Sequence, residues 1–170
     1  MFRLVIELMS DTTVTTTDVS DELGDDAQVV EPGFKDFGKQ RCFSGRISTV
    51  SCPDDNSQVR AALETPGEHR VLVVDGNASS NCAFLGDQLA SLASKNGWSG
   101  VVINGCMRDS EIVATIDIGV KALGTHPKKS LKRGLGERDI PVRFAGVEFR
   151  PGDYLYADAD GIVVTRSPLS

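Results

Sequence analysis

Two short, unbroken apolar runs dominate the pattern of the chain, Val71-Leu72-Val73-Val74 and Val101-Val102-Ile103. Such a run is too short for a helix; closed by Asp75-Gly76 or Asn104-Gly105, it predicts a strand covered on both faces. Between the two, Leu89, Leu92 and Ala93 recur at helical spacing and predict a helix of about residues 87–96 that stops at Gly97. Strand, helix and strand within ~30 residues make a βαβ unit, whose strands lie parallel and whose crossover is right-handed. The residues between Gly76 and Gly86 read as an irregular polar stretch, with Asn77 and Asn104-Gly105 as turn formers.

Weaker patterns flank this unit. Ser, Thr and Asp crowd residues 9–18, which predicts an N-terminal lead-in over residues 1–18, a short helix near Val19–Leu23 ended by Gly24, and a single domain over residues 19–170. Phe43, Ile47 and Val50 predict a strand over residues 42–51, and Pro53-Asp54-Asp55-Asn56 a turn opening a helix to about Glu64. Past Asp109 a short helix and a strand at Val120–Leu123 repeat the theme. Pro141–Phe149, Tyr154–Ala157 and Gly161–Thr165 then read as strands, divided by turns at Pro151-Gly152-Asp153 and Asp158-Ala159-Asp160-Gly161. No internal repeat, low-complexity tract or linker interrupts them. The expected architecture is one α/β domain with a βαβ core and a β-rich C-terminal part.

Composition narrows the function. The chain has 170 residues, 40% hydrophobic and 25% charged, as an ordinary globular domain does. A formal net charge of −6 weighs against direct nucleic-acid binding, which draws on clustered Lys and Arg. No stretch approaches the ~20 apolar residues that span a bilayer. The one basic cluster, Lys128, Lys129, Lys132 and Arg133, is either a solvated loop or a means of attracting an anionic substrate.

Cys42, Cys52, Cys82 and Cys106 form no C-x-x-C pair and His is limited to His69 and His126, a poor supply for a Cys/His zinc site. Met1–Leu8 shows no small-residue cleavage pattern, so reduced thiols in a cytoplasmic protein are expected. Cys106 has no accompanying His and is not expected to be a nucleophile. His126, before Pro127, reads as a satisfied or solvent-facing side chain, and Asp158, Asp160 and Gly161 as a polar turn rather than a metal loop.

In a parallel sheet, ligands gather beyond the carboxyl ends of the strands. Both βαβ loops open there, which brings Gly86-Asp87-Gln88-Leu89 near Arg108-Asp109. The first segment opens a helix whose free N–H groups favour a carboxylate, and Gly86 admits a ligand close to the main chain. Arg108 offers a donor fork to a carboxylate or carbonyl oxygen; Asp109 offers a hard oxygen to magnesium or manganese, ions commonly held by one or two carboxylates. The alternatives are a plain helix start and a surface Arg–Asp pair.

Val71-Leu72-Val73-Val74-Asp75-Gly76, Gly86-Asp87-Gln88-Leu89-Ala90 and the run from Gly97-Trp98-Ser99-Gly100 to Cys106-Met107-Arg108-Asp109 resemble one family throughout: the regulator of ribonuclease activity A family, which includes the 4-hydroxy-4-methyl-2-oxoglutarate aldolases. The resemblance extends from about Val19 to Pro168, through Glu31-Pro32, Phe43-Ser44-Gly45, Gly136-Glu137, Gly146-Val147, Pro151-Gly152-Asp153 and Tyr156-Ala157-Asp158. Members were once labelled menaquinone methyltransferases; this chain has no glycine-rich cofactor loop of the expected kind.

The resemblance implies a compact β/β/α sandwich of the swivelling-domain type, forming a homo-oligomer, a trimer or a dimer of trimers, with sites at subunit boundaries. It implies a metal-dependent aldolase that releases pyruvate from small oxo-acids, with oxaloacetate decarboxylase side activity. Arg108 and Asp87 would be catalytic, Asp109 and Asp87 would hold the ion, and Gly86, Asp87, Gln88, Leu89, Arg108 and Lys132 would bind substrate. The base could be Asp87 or a metal-bound water. The other family branch implies a non-catalytic protein that binds and inhibits ribonuclease E or a similar nuclease; its members tend to lack the Asp found here as Asp109. In one departure, Gly76-Asn77-Ala78-Ser79-Ser80-Asn81-Cys82 stands where many relatives carry Gly-Gly-Gly with one or two Arg. That departure bears on preference for large dianionic substrates more than on the chemistry.

Overall fold

A computed structural model describes residues 13–169, so most of the expected lead-in, residues 1–12, lies outside the described residues. The elements are α1 (Thr16–Leu23), β1 (Gln28–Val29), β2 (Lys35–Asp36), β3 (Phe43–Ser51), α2 (Ser57–Leu63), β4 (Val71–Ala83), α3 (Asp87–Lys95), β5 (Gly100–Met107), α4 (Ser110–Val113) and β6 (Gly119–Thr125). There follow β7 (Glu137–Arg138), β8 (Val142–Phe144), β9 (Val147–Phe149), β10 (Tyr154–Asp158) and β11 (Gly161–Thr165).

The large sheet runs β1-β11-β10-β3-β4-β5-β6-β2, with β7 also paired to β3. Its β3, β4, β5 and β6 are parallel, as the βαβ reading requires. Strand β3 serves two neighbours in succession. Phe43–Arg46 pair antiparallel with β10, and Ile47–Ser51 pair parallel with β4. The sheet thereby folds over itself, and β8-β9 form a separate hairpin.

Side-chain alternation explains the unbroken apolar runs. Leu72, Val74, Val101 and Ile103 pack in one cluster with Val59 and Leu63 of α2 and Leu89 and Ala93 of α3. Val71, Val73 and Val102 point the other way, into a cluster with Phe149, Leu155, Ile162 and Val164. Each strand is thus buried on both faces, and the layers stack as sheet, sheet and helices, the β/β/α arrangement expected.

Several boundaries differ from expectation. Helix α1 begins before Val19, at Thr16, because Thr15 and Asp18 form a reciprocal capping box and Asp158 accepts bonds from the Thr16 N–H and Oγ1, both at 2.7 Å. The polar stretch after Gly76 is an extension of β4 to Ala83, with register shifts at Ser79 and Ala83 that its lack of apolar periodicity concealed. Asn104-Gly105 is no turn: both lie inside β5, where Asn104 Nδ2 donates to Asp75 Oδ1 at 3.0 Å. A Cβ on Gly105 would come within 2.7 Å of the Phe84 ring, so this glycine serves close packing. Pro141–Phe149 is a hairpin instead of one strand, turned at Ala145 and Gly146, both with positive φ.

Candidate active site

Two main-chain bonds set the geometry of the cleft. Phe84 N–H donates to Cys106 O at 2.9 Å, and Arg108 N–H donates to Leu85 O at 2.9 Å. The end of β5 is therefore laced to the residues just ahead of α3, and Gly86-Asp87 faces Arg108-Asp109 directly. A Cβ added to Gly86 would stand 2.7 Å from Asp109 Oδ2 and 3.3 Å from Arg108 Cγ. Gly86 has an extended backbone, φ −131°, so its need for glycine is one of space.

Asp109 takes the left-handed conformation, φ 56° and ψ 40°. So placed, its Oδ2 accepts the Asp87 N–H at 3.2 Å, while Asp87 Oδ1 accepts the Gln88 N–H at 2.8 Å. Two amides at the start of α3 thus already have carboxylate partners. Leu89 is buried beneath them, Gln88 is exposed, and Arg108 is half-buried with Nη1 3.5 Å from Pro127 O.

These residues line a cleft of about 110 Å³ whose other walls include Asn56, Arg60, Lys129, Ser130 and Lys132. Every residue that the sequence nominated for the site is present here. The sequence did not single out Arg60 as a site residue, and Lys129 was visible only as part of the basic cluster. The lining includes four cationic residues, Arg60, Arg108, Lys129 and Lys132, and two acidic ones, Asp87 and Asp109. A larger cavity of about 770 Å³ lies nearby, but its charged lining residues, Asp54, Asp75 and Glu137, are all acidic. The smaller cleft has the sign that suits an anion.

The basic loop is held in place by Asp55, which is fully buried. Its Oδ1 accepts the Ser57 N–H at 2.8 Å, and its Oδ2 the N–H groups of Arg133 and Leu135 at 2.6 and 3.4 Å. Burial alone would raise this carboxyl, but the Ser57 side chain and those backbone donors outweigh it and hold it below the usual range. Asp55 thus takes over the cap of α2, where Asn56 makes no side-chain cap bond. Ser130 Oγ donates to Ala83 O at 2.7 Å and fastens the same loop to β4.

Among the described residues no group of three or more His, Cys, Asp or Glu side chains is placed to hold a metal ion. An ion in the cleft would rest on Asp109 and Asp87 alone, two hard oxygen donors of the kind magnesium or manganese accepts with water and substrate completing the shell. Asp109 Oδ1 has no hydrogen-bond partner among the described residues, and the donor set fits such an ion. All four cysteines are free. Burial, then the charges of Asp55 and Asp75, push the Cys52 thiol up to about 12, which keeps it unreactive. His126 Nδ1 accepts the Lys128 N–H at 3.0 Å, as a satisfied histidine should. Asp158, bonded to Thr16 and to the Asp160 N–H at 3.0 Å, is spent on structure. No helix among the described residues is long and apolar enough to cross a membrane.

The chain is a layered α/β fold with a small cleft, lined by four cationic and two acidic residues, beyond the carboxyl ends of its parallel strands. Residues 16–164 match the family model described as RraA-like: Aldolase/RraA. The chain belongs to this RraA-like family. It is 58% identical over 156 residues, 92% of this chain and 97% of the other, to a protein of Alkalilimnicola ehrlichii named "Putative 4-hydroxy-4-methyl-2-oxoglutarate aldolase". Among solved structures it is similar to one from Geobacillus kaustophilus described as an S-adenosylmethionine:2-dimethylmenaquinone methyltransferase (TM-score 0.90, 49% identity, covering 92% of this chain and 97% of that one). It is also similar to the RNA-processing inhibitor RraA from Thermus thermophilis (TM-score 0.89, 43% identity, 92% and 95% covered).

Proposed function

We propose that the protein is a divalent-metal-dependent lyase that cleaves 4-hydroxy-4-methyl-2-oxoglutarate-type acids to pyruvate and also decarboxylates oxaloacetate. The observation that carries this is the apposition of Asp109 and Arg108 to the start of α3, with Asp109 Oδ2 on the Asp87 N–H. Relatives named as aldolases, one of them 58% identical over nearly the whole chain, support the same reading.

Magnesium or manganese held by Asp109 and Asp87 would supply Lewis-acid stabilisation of charge on the 2-oxo oxygen. Arg108 donates to that oxygen and gains strength as the C3–C4 bond breaks and its electron pair moves toward an enolate. The α3 amides orient the substrate carboxylate, the Asp87 amide passing from Asp109 to the incoming anion. Asp87 Oδ2 receives the C4 hydroxyl proton as the second carbonyl forms and returns it to C3 of the enolate, which completes the second pyruvate. Loss of carbon dioxide from oxaloacetate yields the same enolate, so both activities share one site.

The likeness to the Thermus RNA-processing inhibitor supports a second reading, a non-catalytic regulator of ribonuclease E or a similar nuclease. The two separate in a pyruvate-release assay on 4-hydroxy-4-methyl-2-oxoglutarate. A rate that requires magnesium or manganese supports the lyase, and no rate with any divalent ion leaves only the regulator.

A further inference from the structure

At the amino ends of the parallel strands, away from the cleft, a cavity of about 160 Å³ lies between α2, β3 and the residues that lead into β4 and β5. Its lining includes Ser48, Thr65, Arg70, Trp98, Arg138 and Asp139. The Arg70 guanidinium is held there by its own contacts. Its Nε donates to Gly67 O at 2.9 Å, its Nη1 to Ser48 Oγ and its Nη2 to Pro66 O, both at 2.8 Å, and it lies 4.6 Å from the centre of the Trp98 ring. A turn from Gly67 to Arg70, whose central residues Glu68 and His69 both have positive φ, 52° and 62°, presents the Gly67 carbonyl.

These three acceptors are neutral and use three of the five guanidinium donors. No carboxylate, Asp139 included, forms an ion pair with Arg70 among the described residues. Ser48 is only 6% exposed. Its oxygen accepts from Arg70, and its proton goes to no acceptor among the described residues, whereas the Thr49 and Thr65 hydroxyls are spent on Ile140 O and Ala62 O. An immobilised, unneutralised guanidinium with two N–H groups left over thus shares one small cavity with a buried hydroxyl whose donor is unused.

We propose that this cavity binds a small tetrahedral oxyanion of the phosphate or sulfate class, through Arg70 and the Ser48 hydroxyl. A planar guanidinium held in place suits the oxygens of such an anion, and the anion supplies the charge and the acceptors that the protein leaves out. The site is separate from the cleft and independent of the lyase reading.

Trp98 is the only tryptophan of the chain, so its emission reports on this cavity. The test titrates inorganic phosphate into the full-length protein, against sodium chloride at matched ionic strength. A saturable change in emission with phosphate and none with chloride is expected in wild type and in Arg108→Gln, whose lesion lies in the cleft. Ser48→Ala leaves Arg70 on Trp98 and should raise the midpoint about three- to tenfold; Arg70→Lys should raise it more than about tenfold. Identical responses of wild type to the two salts overturn the site. A phosphate response lost in Arg108→Gln, or unchanged in Ser48→Ala or in Arg70→Lys, overturns it as well. Should Arg70→Lys fail to fold, wild type and Ser48→Ala still decide.

Discussion

Asp109 Oδ2 accepts the backbone N–H of Asp87 at 3.2 Å, which joins the end of one parallel strand to the first turn of the helix from the preceding crossover. A carboxylate in that position caps the helix and stands ready to hold a cation. Asp109→Asn separates the two roles, since an amide oxygen still accepts the N–H but carries no charge. Its melting midpoint should stay within about 3 °C of wild type. Manganese affinity measured by calorimetry should fall at least about tenfold. Equal affinity in the two proteins would remove Asp109 from the metal site.

Gly86→Ala tests the spacing of the cleft. The added methyl meets Asp109 Oδ2 at 2.7 Å with an unstrained backbone, so the carboxylate must shift while the fold persists. A misplacement of this kind lowers kcat/KM on the order of a hundredfold. A variant of wild-type activity would show that Gly86 and Asp109 are not one site.

Asp55 links stability to pH through the basic loop. Its carboxyl is held below the usual range by hydrogen bonds that outweigh burial, so its contribution is present above the unfolded-state value near ~4 and disappears as pH falls through the lower folded value. Asp55→Ala strips acceptors from the Ser57, Arg133 and Leu135 N–H groups and should cost about 2–3 kcal/mol at pH 7. Urea melts at pH 7 and pH 3 check the sign: the gap between variant and wild type narrows at the lower pH. A constant gap would contradict it.

Lys121 Nζ lies 3.1 Å from Asp36 Oδ1, and their side chains are only 3% and 19% exposed. Removing one partner strands the other, so Lys121→Met alone should destabilise by roughly 3–5 kcal/mol, and Lys121→Met with Asp36→Leu by much less. Denaturant midpoints of the two singles and the double form a cycle, and simple additivity would show that the pair is not coupled.

Local pattern revealed what local pattern encodes. Val71–Val74 and Val101–Ile103 read correctly as strands because burial on both faces leaves unbroken apolar runs, and Gly86-Asp87 read correctly as a helix start. The apposition of Gly86 and Arg108 followed from the parallel strands of one βαβ unit, whose loops open on the same sheet edge. The far half of β4 was hidden because its residues are polar and its register shifts twice. Asn104 and Gly105 carry turn chemistry but answer to Asp75 and Phe84, residues distant in sequence. Asp55 could not be placed for the same reason, since it accepts N–H groups about eighty positions away, and Arg60 comes to line the cleft only in the folded chain.

The most direct test of the account is the initial rate of pyruvate release from oxaloacetate by wild type and Asp109→Ala, each with magnesium and with excess chelator. A rate in wild type that vanishes with chelator and falls at least about a hundredfold in the variant is the predicted result. Equal rates in all four conditions, above the spontaneous background or at it, would contradict a metal-assisted site at Arg108-Asp109.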